Sequence, residues 1–440
     1  MANSLIDIFR IAELRKRILF TLSMLFVFRL GAVIPIPGIN PSALEAYFLA
    51  QQTASSGVSL TSYLDFFAGG AFSRFSIFML GIMPYISMSI LMQLMLLLVP
   101  SLKKISEEEG GRKKIQQYTR YGTVLVCLVQ SFVVTIYADS IPNAIAISRA
   151  FYIPVSMLTV TTGTMFLMWI GEQINQRGIG NGISLLIFSG IVARIPEALW
   201  TLIRSIQQGQ LNPVFAIVTF GIFIGVIVLV IYEQRGQRKI PISYSKRVVG
   251  RRMYGAQSTY LPFKVNPSGV IPVIFASAVL TFPLQLLQGL SSGARWIQRL
   301  SALLRPDGFT YVIFYTLLIV FFAYFYTQVS MNPVEIAKNI RENGGSIPGV
   351  RTDNVESHLM KVMNRIILPG ALFLSFIAII PSIIQALFGF PPSLAYLMGG
   401  TSLLILVGVD LDLMSQIEAH LRMHHHGGLT KSGRVKGRNL

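Results

Sequence analysis

A chain of 440 residues with 52% hydrophobic and only 13% charged residues, and a mean hydropathy of +0.60, is too apolar to be a string of soluble domains. Its formal net charge of +18 would fit a nucleic-acid binder, but in a membrane protein basic residues collect in the cytoplasmic loops. The single Cys127 excludes a disulfide framework and argues against a zinc site.

The N-terminal segment 1–17 is basic (Arg10, Arg15, Lys16, Arg17) and runs into an apolar stretch without a small-residue cleavage pattern, so no cleavable signal is expected. Ten spanning candidates follow, at 18–36, 75–99, 121–138, 151–170, 183–200, 213–232, 268–288, 310–330, 366–387 and 394–416. The fold class is therefore an all-α polytopic membrane protein. The first half is 18–200 and the second is 201–416, with a basic tail at 417–440. Most of the 37 Lys and Arg residues fall in alternate loops that share a side with both termini, which places the termini in the cytoplasm. Two loops on that side are long, 233–267 and 331–365. The first spaces basic residues among β-formers, which predicts a hairpin with a basic tip; as solvated basic surface, the same loop would be drawn to anionic lipids.

Just before the second span, residues 60–74 are too short to cross a bilayer, carry Asp65 and Arg74, and contain Gly69-Gly70. Insecurely helical backbone survives at membrane depth only where protein or water surrounds it, so this piece is expected to fold into a pore or vestibule. Weak helix propensity at the two glycines would ease its displacement. The second span then reads Gly81-Ile82-Met83-Pro84-Tyr85-Ile86, and the seventh echoes it as Gly269-Val270-Ile271-Pro272-Val273-Ile274. Each is the second span of a five-span half, and five is odd, so the halves enter the membrane inverted, with matched breaks near a central axis. Ile82 and Ile86 sit one helical turn apart and would form an apolar constriction if other helices contributed similar side chains.

Arg29 lies deep in the first span and reads as a snorkelling or structurally paired cation, while Asp410 and Asp412 read as interfacial. His424-His425-His426 lie in a polar basic tail and read as solvated. No phosphate-binding loop and no catalytic set of side chains stands out, so neither enzyme activity nor a cofactor or metal is expected. A small-solute transporter would instead converge polar groups at mid-membrane, where this chain places isoleucine. An insertase or a scaffold is the remaining alternative class.

The motifs FRLGAVIPIPGI (28–39), FFAGGAFSRFSIFMLGIMPYIS (66–87), RKKIQQYTRYGT (112–123), TGTMFLMWIGEQINQRGIGNGIS (162–184), GRRMYGAQSTYLPFKVN (250–266), PGVR (348–351) and GGTSLLILVGVDLD (399–412) occur in the order seen in the SecY family of protein-translocase channels, which this chain closely resembles over about residues 13–420. The resemblance implies ten transmembrane helices in two inverted, pseudo-symmetric five-helix halves around a central hourglass pore, in a bacterial plasma membrane. It implies a pore ring at Ile82, Ile86, Ile183, Ile187, Ile274 and Ile405, all isoleucine here. It makes 60–74 a plug, with Leu60, Tyr63, Leu64, Asp65, Phe66, Phe67, Gly69, Gly70, Phe72 and Arg74, and assigns Ser87, Gln130, Ser277 and Phe282 to a lateral gate. Arg251, Arg252 and Arg351 match residues that dock the SecA motor or a ribosome. After Arg351 this chain has Thr352-Asp353 where relatives often have Pro-Gly, and Asp410 stands at a usually apolar position. SecE and SecG are the implied small partners, signal sequences and nascent polypeptides the implied cargo.

Overall fold

The computed structural model describes residues 11–54, 65, 68–139, 141–209, 212–244, 247–249, 252–254, 258–290, 308–331, 333–388 and 400–432. It divides into two compact units, one of Met1–Ser55, Thr61–Pro196 and Ile405–Leu440, the other of Ser56–Leu60 and Glu197–Leu404.

The first unit begins with α1 (Ala12–Gly31) and α2 (Pro41–Ala54), then α3 (Met83–Leu98), α4 (Pro100–Glu107), α5 (Gly111–Asp139), α6 (Arg149–Arg177) and α7 (Gly182–Val192). α8 (Ile195–Gln207) leads into the second unit, which continues with α9 (Pro213–Arg235), β1 (Gln237–Tyr244), β2 (Arg247–Val249), β3 (Arg252–Tyr254), β4 (Ser258–Lys264), α10 (Ile271–Leu290) and α11 (Phe309–Ser330). After these come α12 (Pro333–Glu342), β5 (Gly345–Ser346), a 3-10 turn at Thr352–Asn354, α13 (Val355–Phe388) and α14 (Gly400–Ser432). Seven described helical segments are long and apolar enough to cross a membrane, and α3 with α4, bent by 100° at the break, makes an eighth. α1 and α10 fall on the first and seventh expected spans; of α10, Ile271–Leu280 is a shorter apolar helix.

Several threonine hydroxyls on the spans are satisfied within their own helix. Thr119, Thr123 and Thr135 each donate to the carbonyl one turn back, and Thr135 also bonds Ser156 across the α5–α6 contact at 3.0 Å. In lipid this is the way a polar side chain avoids an unmet hydrogen bond. Arg120 grips Glu172 through two nitrogens, at 3.0 and 2.6 Å, and ties the same two helices near their other ends.

Four sequence expectations change. The uninterrupted span 75–99 is not one helix: residues 68–82 form consecutive turns, and the helix begins only at Met83. Its 16 residues rise about 24 Å at 1.5 Å each, short of the hydrocarbon thickness. Pro84 and Pro272 do not break ongoing helices but stand in the second position of new ones, where the missing N–H costs nothing. The loop expected at 331–365 is instead largely structured, since the ninth span extends back as α13 to Val355. The last helix likewise continues through His424-His425-His426 to Ser432, where a tail was expected.

The two long loops of the second unit fold together. β1 and β4 pair antiparallel from Gln237↔Lys264 to Ser243↔Ser258, and β2 pairs with β3 beyond them, so the predicted hairpin is present. β5, from the other loop, pairs with β1 at Ser243↔Ser346 and Tyr244↔Gly345. Ile240, Ile242 and Phe263 from the sheet pack with Ala337 and Ile340 of α12 and Val355, Leu359 and Val362 of α13 in one core. Burying these side chains gives what each loop alone lacks, an apolar interior.

Candidate functional site: a buried turn and two matched helix starts

The turn segment 68–82 is held on every side within the first unit. Phe75 bonds through its carbonyl to the Ile36 amide at 2.9 Å, and the Ile77 amide donates to Ile34 at 3.0 Å, forming a short antiparallel bridge with the chain leaving α1. Phe75 has φ +44, unusual for a side chain with a Cβ, and is fully buried; its ring stacks on Tyr137 of α5 at 6.4 Å. Phe78 stacks between Phe28 of α1 and Phe166 of α6, both at 6.1 Å.

Charge fastens the front of the segment. Asp65, 7% exposed, pairs with Arg194 and accepts the Ser73 amide at 2.7 Å. The Gly70 amide donates to the Asp65 carbonyl at 3.0 Å, and Arg29 Nη1 donates to the Gly69 carbonyl at 3.1 Å. Gly69 and Gly70 adopt φ +65 and +87, so they are turn residues rather than weak spots in a helix. A Cβ on Gly69 would lie 2.7 Å from the Gly190 Cα. Arg29 is therefore a structurally paired cation. Sequence reasoning passed over Arg194, which lies inside the expected fifth span at 183–200. The signal was there: an arginine inside one span and an acid in a nearby intramembrane segment ask for each other.

Of the other plug candidates, Phe72 is buried and Arg74 exposed, while Leu60, Tyr63, Leu64, Phe66 and Phe67 lie outside the described residues. The isoleucines fall as follows. Ile82 caps the start of α3 and Ile86 lies one turn in, its amide donating to the Ile82 carbonyl at 3.2 Å; both are buried. Ile183 and Ile187 are in the first two turns of α7, whose start is capped by Asn181 accepting from the Ile183 and Ser184 amides. Ile274 is in the first turn of α10, its amide donating to Val270 at 3.3 Å, and Ile405 is buried in α14. Ser87 is half-buried on α3 and Gln130 buried on α5. Ser277 is buried on α10 and donates to the Ile274 carbonyl at 2.7 Å. Phe282 is also on α10, with its side chain outside the description. Arg351 is exposed at the start of the 3-10 turn, Arg252 is in β3 with its side chain undescribed, and Arg251 lies outside the described residues.

Gly81 and Gly269 share φ +59, and each amide donates three residues back, to Phe78 at 2.8 Å and to Asn266 at 3.4 Å. Ile86 and Ile274 each stand five residues after their glycine. The internal repeat seen in sequence is therefore a repeat of backbone conformation too.

Comparison with known proteins agrees in extent and order. The sequence model of the SecY family matches residues 76–414. Protein translocase subunit SecY of Borreliella burgdorferi is 48% identical over 424 residues, 96% of each chain. The subunit of the same name from Escherichia coli K12 is 42% identical, covering 97% of this chain and 96% of its own. A solved structure described as a protein conducting channel superposes with a TM-score of 0.67 over 97% of this chain and 95% of its own, at 19% identity. One concerned with the plug domain of the SecY protein gives 0.64 at 18% identity, with the same coverage.

Proposed function

Since this chain belongs to the SecY family, we propose that it is the channel subunit of a bacterial protein translocase, passing unfolded polypeptides across the plasma membrane and releasing apolar segments sideways into lipid. The observation that carries this reading is the near-full-length identity to protein translocase subunits. Both termini face the cytoplasm in this reading, which the distribution of basic residues supports.

Ile82, Ile86, Ile183, Ile187, Ile274 and Ile405 form the constriction. Isoleucine donates and accepts no hydrogen bonds, so such a ring holds no sequence specifically, fits around a moving chain and resists ions by dewetting. The matched starts of α3 and α10 support it, because they put Ile86 and Ile274 at the same point of each repeat. Residues 60–74 are the plug that closes the resting channel. Ser87, Gln130, Ser277 and Phe282 belong to the lateral gate, where an apolar helix gains about 0.8 kcal/mol per CH2 moved into lipid. The folded body of β1, β4, β5, α12 and α13, together with Arg251, Arg252 and Arg351 of the two long loops in sequence, docks the SecA motor or a ribosome, which supplies the energy. SecE and SecG complete the membrane complex.

Reconstitution of the chain with SecE, SecG and SecA should protect a secretory protein from added protease in an ATP-dependent way; absence of protection with all four components present would overturn the reading. Replacing Ile86 and Ile274 together with glycine should raise resting ion conductance, and an unchanged leak would remove the shared constriction.

A further inference from the structure

We propose that Glu233 is a proton-binding site whose occupancy sets how firmly the turn before α10 is held. For its effect on transport, this rests on reading α10 as the helix that carries Ile274 of the ring and Ser277 of the gate. Glu233 is the first residue of the loop 233–267 and stands in the last turn of α9, just before strand β1. Here the two ends of the sheet meet the membrane helices. The Gly236 amide donates to the Glu233 carbonyl at 3.1 Å, and the Val265 amide donates to the Gly236 carbonyl at 2.9 Å. Gly370 of α13 closes the other side against Val265.

Glu233 is 7% exposed, and both of its carboxyl oxygens are buried without a hydrogen-bond partner among the described residues. The side chains beside it are neutral amides, Asn266 and Gln234. Gln234 Nε2 is itself buried and unpartnered, while Asn266 Nδ2 donates to the Gly269 carbonyl at 2.9 Å and Asn266 Oδ1 accepts the Ser268 hydroxyl at 2.9 Å. The charged groups on the elements packed here are Arg235 of α9, Arg238 and Lys239 of β1, Lys264 of β4 and Arg365 of α13. All are exposed, and none pairs with Glu233 among the described residues. An ionised carboxylate buried without a cation is costly, so the neutral acid suits this position. Burial pushes the carboxyl up to about 7, with the two amides pulling the other way.

The two forms of Glu233 make different demands on Asn266. The neutral acid carries its own donor and leaves the Asn266 amide to Gly269. The carboxylate only accepts, and the donors beside it are the amides of Asn266 and Gln234. A charged acceptor binds an amide more strongly than a neutral carbonyl does. Ionisation therefore turns the Asn266 amide toward the charge and weakens its bond to Gly269. Little else holds that turn: Gly269 has φ +59, and its own amide reaches the Asn266 carbonyl at 3.4 Å. α10 starts directly afterwards at Ile271, so the turn positions the helix. Phe78 stands at the matching place in the first repeat, which leaves the device to the second. The folded carboxyl titrates above the ordinary glutamate range. Its contribution to stability is thus complete at low pH and is lost as pH rises to about 7.

The test uses the complete complex, in lipid nanodiscs for hydrogen exchange and in motor-driven vesicles for export, at about pH 6 and about pH 8. After correction for intrinsic rates, the backbone amides of 269–274 should exchange about tenfold faster at the higher pH. Glu233→Gln, which mimics the neutral acid, should exchange slowly at both. Glu233→Asp keeps the titrating group and should keep the step, which separates the proton from a general loss of folding. Asn266→Ala should exchange fast at both, because the amide that carries the effect is gone. A wild-type profile without the step, or a step that survives in Glu233→Gln, would overturn the proton site. Export is read as the ratio of Glu233→Gln to wild type, so that the motor's own pH dependence cancels. That ratio should fall by about threefold between the two pH values. An exchange step that Glu233→Gln removes, with a constant export ratio, leaves the proton site standing and removes α10 from the opening step. Loss of both removes the site itself.

Discussion

At Gly81 and at Gly269 the chain makes the same left-handed turn, φ +59 in each, and enters a helix two residues later with proline in its second position. Behind each turn a glycine of a long helix lies against the preceding backbone: Gly163 of α6 faces Ile77 and Phe78, and Gly370 of α13 faces Val265 and Asn266. In both cases the carbonyl met lies four residues before the turn glycine. The surroundings then diverge. The first turn is the end of a buried segment, wedged among Phe28, Tyr137 and Phe166 and fastened by Asp65. The second follows β4, and its glycine has open space where a Cβ would be. A buried segment precedes the helix start in one repeat and a sheet precedes it in the other, while the helix start itself is common to both.

The contrast can be broken most severely at the helix contact. Gly163→Ala drives a methyl into the Ile77 carbonyl and should destabilise the protein by about 3 kcal/mol, whereas Gly370→Ala, with 2.9 Å to the Val265 carbonyl, should cost about 1 kcal/mol. Apparent unfolding temperatures of the two purified variants should fall in that order; equal losses would mean that the first contact is no tighter than the second. The turns themselves should behave alike. Gly81→Ala and Gly269→Ala each force a Cβ into the left-handed region, with no collision to add, and should each cost about 1–2 kcal/mol. A difference above that range between them would show that the shared φ hides unlike environments.

Asn266 sharpens the difference. Its side-chain amide donates to the Gly269 carbonyl at 2.9 Å, and Phe78 holds the corresponding position in the first repeat. Asn266→Ala should therefore cost about 1 kcal/mol, read in the same unfolding measurement, and leave resting conductance unaltered. Gly69→Ala is expected to act mainly on gating rather than on global stability. Its Cβ would meet Gly190 and Arg29, so the seated segment should loosen and resting conductance rise. A drop in leak would restore the alternative in which alanine stiffens a helical plug.

Much of the architecture was legible beforehand. Runs such as 213–232 and 366–387 are apolar for long enough that only a spanning helix accommodates them, and the Gly-x-x-Pro echo recurs as a matched helix start. The ends were not legible. α13 begins at Val355 because Val355, Leu359 and Val362 find Ile240 and Ile242 of the other loop, a partner more than a hundred residues away. Nor was the boundary of the second span, since residues 75–82 are as apolar as a helix would need to be. What turns them is φ +44 at Phe75 and the bridge to Ile34 and Ile36, which no local propensity encodes.

By itself the sequence determined what must be local or one-dimensional: which stretches are apolar enough for lipid, which loops the basic residues collect in, and where glycine permits a left-handed turn. Tertiary structure alone decided which charges meet. Asp65 and Arg194 are 129 residues apart, and only the turn at 68–82, the break after α7 and the close approach of Gly69 to Gly190 bring them together. A buried charge is tolerated when its partner arrives with the fold, and sequence order carries no record of that distance.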